Sequence, residues 1–264
     1  MEYTFSSDGT PIAYERQGTG PLLVLVGGTL MTRARHAELA ALLAGEFTVI
    51  TYDRRGRGDS GDHAVFEVQR ELDDLDAVIE QAGGGPVLLY GMSSGGVLAL
   101  EAVARGSAVS RLAVYEPPFI VDDSRPPLPG DYVERITELV AHGDATGALT
   151  YFLTAGLAMP ADAVPGMRDM PFWAPWEATA HTLPYDARLM RDTMSGRPLP
   201  RDRWQSVTVP VLVAHGDSGD AYMINAAKQL GSHAPNYTLR CLPGQNHNVD
   251  PRVLAPVLTD HFTR

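Results

Sequence analysis

The sequence predicts an α/β fold: a mainly parallel, doubly wound sheet that opens with an antiparallel hairpin and carries an inserted helical cap. Three observations predict it. Short apolar runs alternate with longer amphipathic segments. Two alternating runs around a turn precede that rhythm, and a proline-rich interval holding all three tryptophans interrupts it. With 264 residues, 44% of them hydrophobic, the chain can bury one large core.

The elements follow in order. "EYTFS" and "IAYERQ" flank Asp8-Gly9, a turn signal, and read as the hairpin. "PLLVLVGG" is a strand, "RARHAELAALLAGE" a helix ended by Gly45, and "FTVITYD" a strand. "FEVQRELDDLDAVIEQAGGG" is a helix with Phe66, Leu72, Leu75, Val78 and Ile79 on its apolar side. "PVLLYG", "GGVLALEAVARG" and "VSRLAVYE" continue as strand, helix and strand. After the interruption come "VPVLVAHG", "AYMINAAKQLG", "YTLRCLPG" and "PRVLAPVLTDHFTR", again alternating strand and helix. Strands separated by helices of this length imply parallel βαβ units with helices on both faces. Residues 1–116 and 207–264 form the core in this reading. Residues 117–206, with helix-like pieces such as "DYVERITELVAHG", form the cap.

The formal net charge is −11, which disfavours nucleic acid and anionic membranes as partners and opposes a strongly anionic substrate. Cys241 is the single cysteine, so no intrachain disulfide forms; its apolar setting reads as a small core residue. The N-terminus shows no apolar run behind a basic start, and no stretch reaches the ~18 apolar residues of a membrane span. A cytoplasmic protein acting on a small molecule is expected, with no cofactor and no metal; a homodimer stays open. The histidines are scattered without zinc-like spacing, and no phosphate-binding loop pattern is present.

The chemistry concentrates in "VLLYGMSSGG". Gly91-Met92-Ser93-Ser94-Gly95 has the form G-x-S-x-G between a buried strand and a helix. Such a sharp turn strains its middle residue, so Ser93 stands at the tip, where the helix N-terminus favours a developing anion. Ser94 follows, and its N–H can donate to an oxyanion. A serine hydroxyl needs an adjacent base. His247, between the last strand and the last helix, is the candidate. His215, at the end of the seventh strand, is the runner-up. His181 falls in the cap, and His36, His63, His142, His233 and His261 read as helix or loop surface.

These features make the chain resemble the α/β-hydrolase fold superfamily over essentially its whole length. Asp53, Arg55, Gly56, Gly58 and Ser60 in "YDRRGRGDS" match that family's D-x-R-G-x-G-x-S loop, read as structural. The resemblance implies a triad of nucleophile, base and acid. The usual acid register after the seventh strand reads Gly216-Asp217-Ser218-Gly219, without an acid in its fourth place. Glu116, in "VYEPPF" at the end of the sixth strand, is favoured; Asp217 and Asp220 remain alternatives. The Ser-Ser elbow, the Glu-x-Pro segment and the Trp-bearing cap are locally similar to zearalenone lactonases. The family register places the second oxyanion donor at the N–H of Thr29, beside Gly28. Gly28, Met92, Phe119, Trp173 and Trp176 are the expected substrate contacts.

The reading is a serine hydrolase cleaving a neutral, largely apolar carboxylic ester or lactone through an acyl-enzyme. The alternatives on the same fold are a C–C hydrolase, a perhydrolase and a biosynthetic cyclase or lyase. A non-catalytic small-molecule receptor is the alternative of another class.

Overall fold

The computed structural model describes all 264 residues. Eight strands form one sheet: β1 (Glu2–Phe5), β2 (Pro11–Gln17), β3 (Leu22–Val26), β4 (Thr48–Tyr52), β5 (Val87–Met92), β6 (Val109–Tyr115), β7 (Val211–Gly216) and β8 (Tyr237–Leu242). Their spatial order is β1-β2-β4-β3-β5-β6-β7-β8. The β1–β2 hairpin pairs antiparallel, and β2 runs antiparallel to β4. Every pair from β4 to β8 is parallel. The chain leaves β3 for β4 on one side and then enters β5 on the other. This switch opens a crevice at the carboxyl ends of β3 and β5, where ligands bind in open α/β sheets.

Ten α-helices accompany the sheet: α1 (Ala37–Leu43), α2 (Val68–Ala82), α3 (Ser94–Arg105), α4 (Tyr132–Ala141), α5 (Ala145–Tyr151), α6 (Val164–Met167), α7 (Trp173–Thr179), α8 (Leu183–Met190), α9 (Ala221–Gly231) and α10 (Pro251–Thr263). Strand alternation divides the core between the two faces. Leu23 and Leu25 of β3 pack with Leu39 and Leu43 of α1 and with Leu254 and Leu258 of α10. Val24 and Val26 pack with Leu75 of α2, Val97 of α3 and Ala226 of α9. Helix α3 is buried along most of its length and ends at Gly106, whose left-handed backbone closes it. No helix is long and apolar enough to cross a membrane.

Helices α4 to α8 lie between β6 and β7 and have their own cluster, with Ile136, Leu149, Leu153, Trp173 and Leu183 inside it. A π-helical turn, Phe152–Gly156, extends α5.

Two expectations about burial are corrected. Cys241 is exposed, because β8 is an edge strand whose residues 238–241 all face solvent. His36 is buried rather than on the surface; its ring meets Tyr90 edge-on at 5.9 Å.

Candidate active site

The site begins where β5 turns into α3. Ser93 takes φ 55° and ψ −128°, a backbone state that an L residue adopts only under constraint. Its N–H donates to the Tyr115 carbonyl at 2.9 Å. Glycine is required around it: a Cβ on Gly91 would lie 2.4 Å from the Gly95 carbonyl, and one on Gly95 would lie 2.5 Å from that of Val26. The strand, the helix and the loop after β3 therefore close on one another around Ser93, whose side chain lines the cavity.

Glu116, the residue after β6, is fully buried and also has positive φ, 45°. Its N–H donates to the Ala214 carbonyl at 3.0 Å. Its Oε1 accepts from the Gly216 N–H at 2.9 Å, and its Oε2 lies 2.9 Å from His247 Nδ1. The loop carrying His247 is docked tightly: the Tyr115 hydroxyl donates to the Asn246 carbonyl at 2.7 Å. A Cβ on Gly216 would lie 1.9 Å from the Gln245 carbonyl. The ring and its carboxylate are thus set by backbone contacts. Asp217 instead accepts from the Gly244 N–H at 2.7 Å, and Asp220 stands at the N-cap of α9. Neither pairs with His247. Ser93 and His247 line the same cavity without a mutual hydrogen bond; in unliganded sites this contact is often long.

The loop after β3 supplies the other half. The Thr29 N–H has no acceptor in the protein. The Ser94 N–H, first in α3, has no intrahelical acceptor. Gly28 has no room for a side chain, since a Cβ there would lie 2.9 Å from that of Ser93. The Ser94 hydroxyl accepts from Thr29 Oγ1 at 3.1 Å and from Arg54 Nη1 at 3.2 Å. This ties the elbow to a buried ion cluster. Arg54 forks onto Glu71 at 2.7 Å and reaches Asp186 of α8 at 2.8 Å. Arg57 meets the other Asp186 oxygen at 2.5 Å and donates to the Gly28 carbonyl at 2.7 Å. Burial pushes the Asp186 carboxyl up, but Arg54 and Arg57 outweigh it and hold it below the usual carboxylate range. Asp186 joins α8 to the loop after β3, through Arg57 on the Gly28 carbonyl, by charges that are costly to leave unpaired.

A cavity of about 240 Å³ opens above Ser93 and is lined by 20 residues, 13 of them hydrophobic. Four of the nine methionines, Met31, Met190, Met194 and Met223, stand in its wall. Unbranched thioethers adapt to ligands of different shape. No three His, Cys, Asp or Glu side chains gather as a metal site.

A family model described as the alpha/beta hydrolase family matches residues 23–257. The chain belongs to the alpha/beta hydrolase family. A crystal structure of an alpha/beta hydrolase from Sphaerobacter thermophilus DSM 20745 is 49% identical, with a TM-score of 0.91 over 99% of this chain and 100% of that one. The 2-(acetamidomethylene)succinate hydrolase of Mesorhizobium japonicum is 24% identical over 253 residues, 92% of this chain and 88% of that protein. An uncharacterized hydrolase of Bacillus subtilis is 31% identical over 105 residues, 39% of either chain.

Within this hydrolase the expected site residues divide. Ser93, Thr29, His247 and Trp176 line the cavity. Met92 does not: strand alternation turns its side chain to the α1 and α10 face, among Leu25 and Tyr90. Phe119 turns into the core and stacks on Trp204 at 5.4 Å, while its neighbour Pro118 takes the wall. Trp173 is buried in the cluster formed by the helices between β6 and β7. His215 is buried behind the site, with Nδ1 2.7 Å from the Gly216 carbonyl. Sequence reasoning missed Tyr222 and Met223 of α9, which line the same cavity as His247. The large side chains of "AYMIN", straight after the usual acid loop, were the available signal.

Proposed function

We propose that this hydrolase cleaves a carboxylic ester or lactone with a largely apolar body through an acyl-Ser93 intermediate. The observation that carries the reading is the buried Glu116 carboxylate on His247 Nδ1, which leaves Nε2 as the nitrogen free for Ser93. Ser93 Oγ attacks the carbonyl carbon while His247 Nε2 takes its proton. The Thr29 and Ser94 amides donate to the oxygen as it gains charge. The tetrahedral intermediate collapses, and His247 protonates the departing alkoxide. A water, deprotonated by the same ring, then releases the acid. Glu116 fixes the tautomer and stabilises the imidazolium at both steps. The apolar cavity supports an apolar acyl or alkyl part.

The test is a panel of aryl and alkyl esters and lactones, with 2-(acetamidomethylene)succinate added because one relative is named for hydrolysing it. A burst of product on an aryl ester, lost in Ser93→Ala, is expected. No turnover of any ester or lactone, with saturable binding of one, would favour a receptor instead.

A further inference from the structure

Arg125 is a buried cation without a counter-charge. Only 8% of the residue is exposed. Its Nε and Nη1 are buried and bond nothing. Its Nη2 makes one long contact, 3.5 Å, to the Ala155 carbonyl. The nearby Asp122 is engaged elsewhere, accepting from Ser124 and from Asn225 at 2.8 Å. Burying an unpaired charge is costly, and the rest of the chain avoids it. Arg54, Arg55 and Arg57 are at least as buried, and each meets a carboxylate, at 2.7, 2.6 and 2.5 Å.

Its position sets it against the cavity wall. The guanidinium carbon lies 4.8 Å from the centre of the Tyr222 ring, which is part of the cavity wall. On the other side Ala155 leads directly into Gly156 and Leu157, also wall residues. Arg125 therefore lies directly behind the seam between two stretches of that wall and is not itself a lining residue. Burial pushes the Tyr222 phenol up to about 12, and Arg125 beside it pulls the other way.

We infer that the cavity takes an ester bearing a free carboxylate, and that Arg125 receives that carboxylate at the seam between Tyr222 and the Ala155 turn. This rests on the acyl-Ser93 reading for the scissile end of the same molecule. A guanidinium presents a planar fork that matches a carboxylate, and the apolar surroundings strengthen the pair. The net charge of −11 acts against an anion only at long range, where salt screens it beyond about 8 Å. At short range, behind the cavity wall, the unpaired guanidinium decides.

The experiment compares 4-nitrophenyl half-esters of linear dicarboxylic acids, of graded length, with 4-nitrophenyl esters of the matching monocarboxylic acids. A second series, butyrate esters of hydroxy acids against butyrates of the plain alcohols, puts the carboxylate on the leaving group. In one series, at its best length, kcat/KM for the charged ester should exceed that of its neutral partner at least about tenfold. Arg125→Met should erase the preference, and Arg125→Lys should keep part of it. Preference for the neutral ester at every length in both series would overturn the proposal. So would an Arg125→Met protein that keeps the wild-type ratio. If Arg125→Met does not fold, Arg125→Gln replaces it. Calorimetry on Ser93→Ala separates this claim from the reaction itself. Half-amides of the dicarboxylic acids should bind more tightly than neutral alkyl amides even if no ester is turned over, and equal binding would refute the carboxylate subsite alone.

Discussion

A Cβ built on Gly219 would lie 3.7 Å from Glu116 Oε1. The strand-six acid and the vacant fourth place of the strand-seven register therefore converge on one point beside His247. Gly219 leaves that point open, and Glu116 fills it from the other side with an oxygen 2.9 Å from the ring. Only one of the two positions can hold the acid.

Glu116→Gln should lower kcat by about 10³ to 10⁴, because an amide can favour the wrong tautomer and cannot stabilise the imidazolium. Asp217→Asn and Asp220→Asn should cost far less, since neither pairs with His247. Steady-state kinetics on one aryl ester checks all three; a large loss in Asp217→Asn with little in Glu116→Gln would reverse the assignment.

Moving the acid should work in part. Glu116→Ala should be nearly inactive, and adding Gly219→Asp should restore at least about tenfold in kcat. The Gly219 backbone is not in the left-handed region, and its Cβ would make only ordinary contacts at 3.7 to 3.9 Å. If the double variant folds but recovers nothing, the two positions are not equivalent.

The two cap tryptophans should separate. Trp176 lines the cavity, so Trp176→Ala should raise KM for bulky esters more than for acetates, through lost contact of about 1–3 kcal/mol. Trp173 is 5% exposed within the cap cluster, so Trp173→Ala should cost stability, about 3–5 kcal/mol, seen as a lower Tm. Equal effects of both on KM would contradict this division.

Stability should fall in mild acid. Burial, aided by Arg35, pushes His36 down from 6.5 to about 4. Between those values the unfolded chain binds a proton that the folded one refuses, so stability is full above 6.5 and falls as pH drops. The His36 contribution to the loss from pH 7.5 to 5 is about 2 kcal/mol, while Asp74, pushed up by burial to about 6, works in the opposite direction over the same range. His261, lowered chiefly by burial, adds in the same direction. Tm measured against pH should slope less in His36→Phe than in wild type; parallel slopes would show that His36 does not set the acid limb.

The residues legible in the sequence are those fixed by the backbone. Ser93 and Glu116 directly follow strands and His247 lies in the loop after β8, where glycine spacing and strand order place them. Side-chain direction was less legible. Met92 adjoins Ser93 in the chain yet faces the opposite side of the sheet, and Phe119 and Trp173 are drawn into two separate cores. Pairings over long separations were not legible at all. Nothing near Arg54 or Arg57 announces Asp186, 132 and 129 residues away. The isolation of Arg125 exists only once the chain is folded, because it depends on which carboxylates end up elsewhere.

The most direct test of the account is where a fluorophosphonate attaches. Intact mass spectrometry should show one adduct per chain, and peptide mapping should place it on Ser93, with labelling lost in Ser93→Ala and retained in Ser94→Ala. A label on Ser94 or on a residue outside the elbow, or a Ser93→Ala protein that still labels and still cleaves esters, would contradict it.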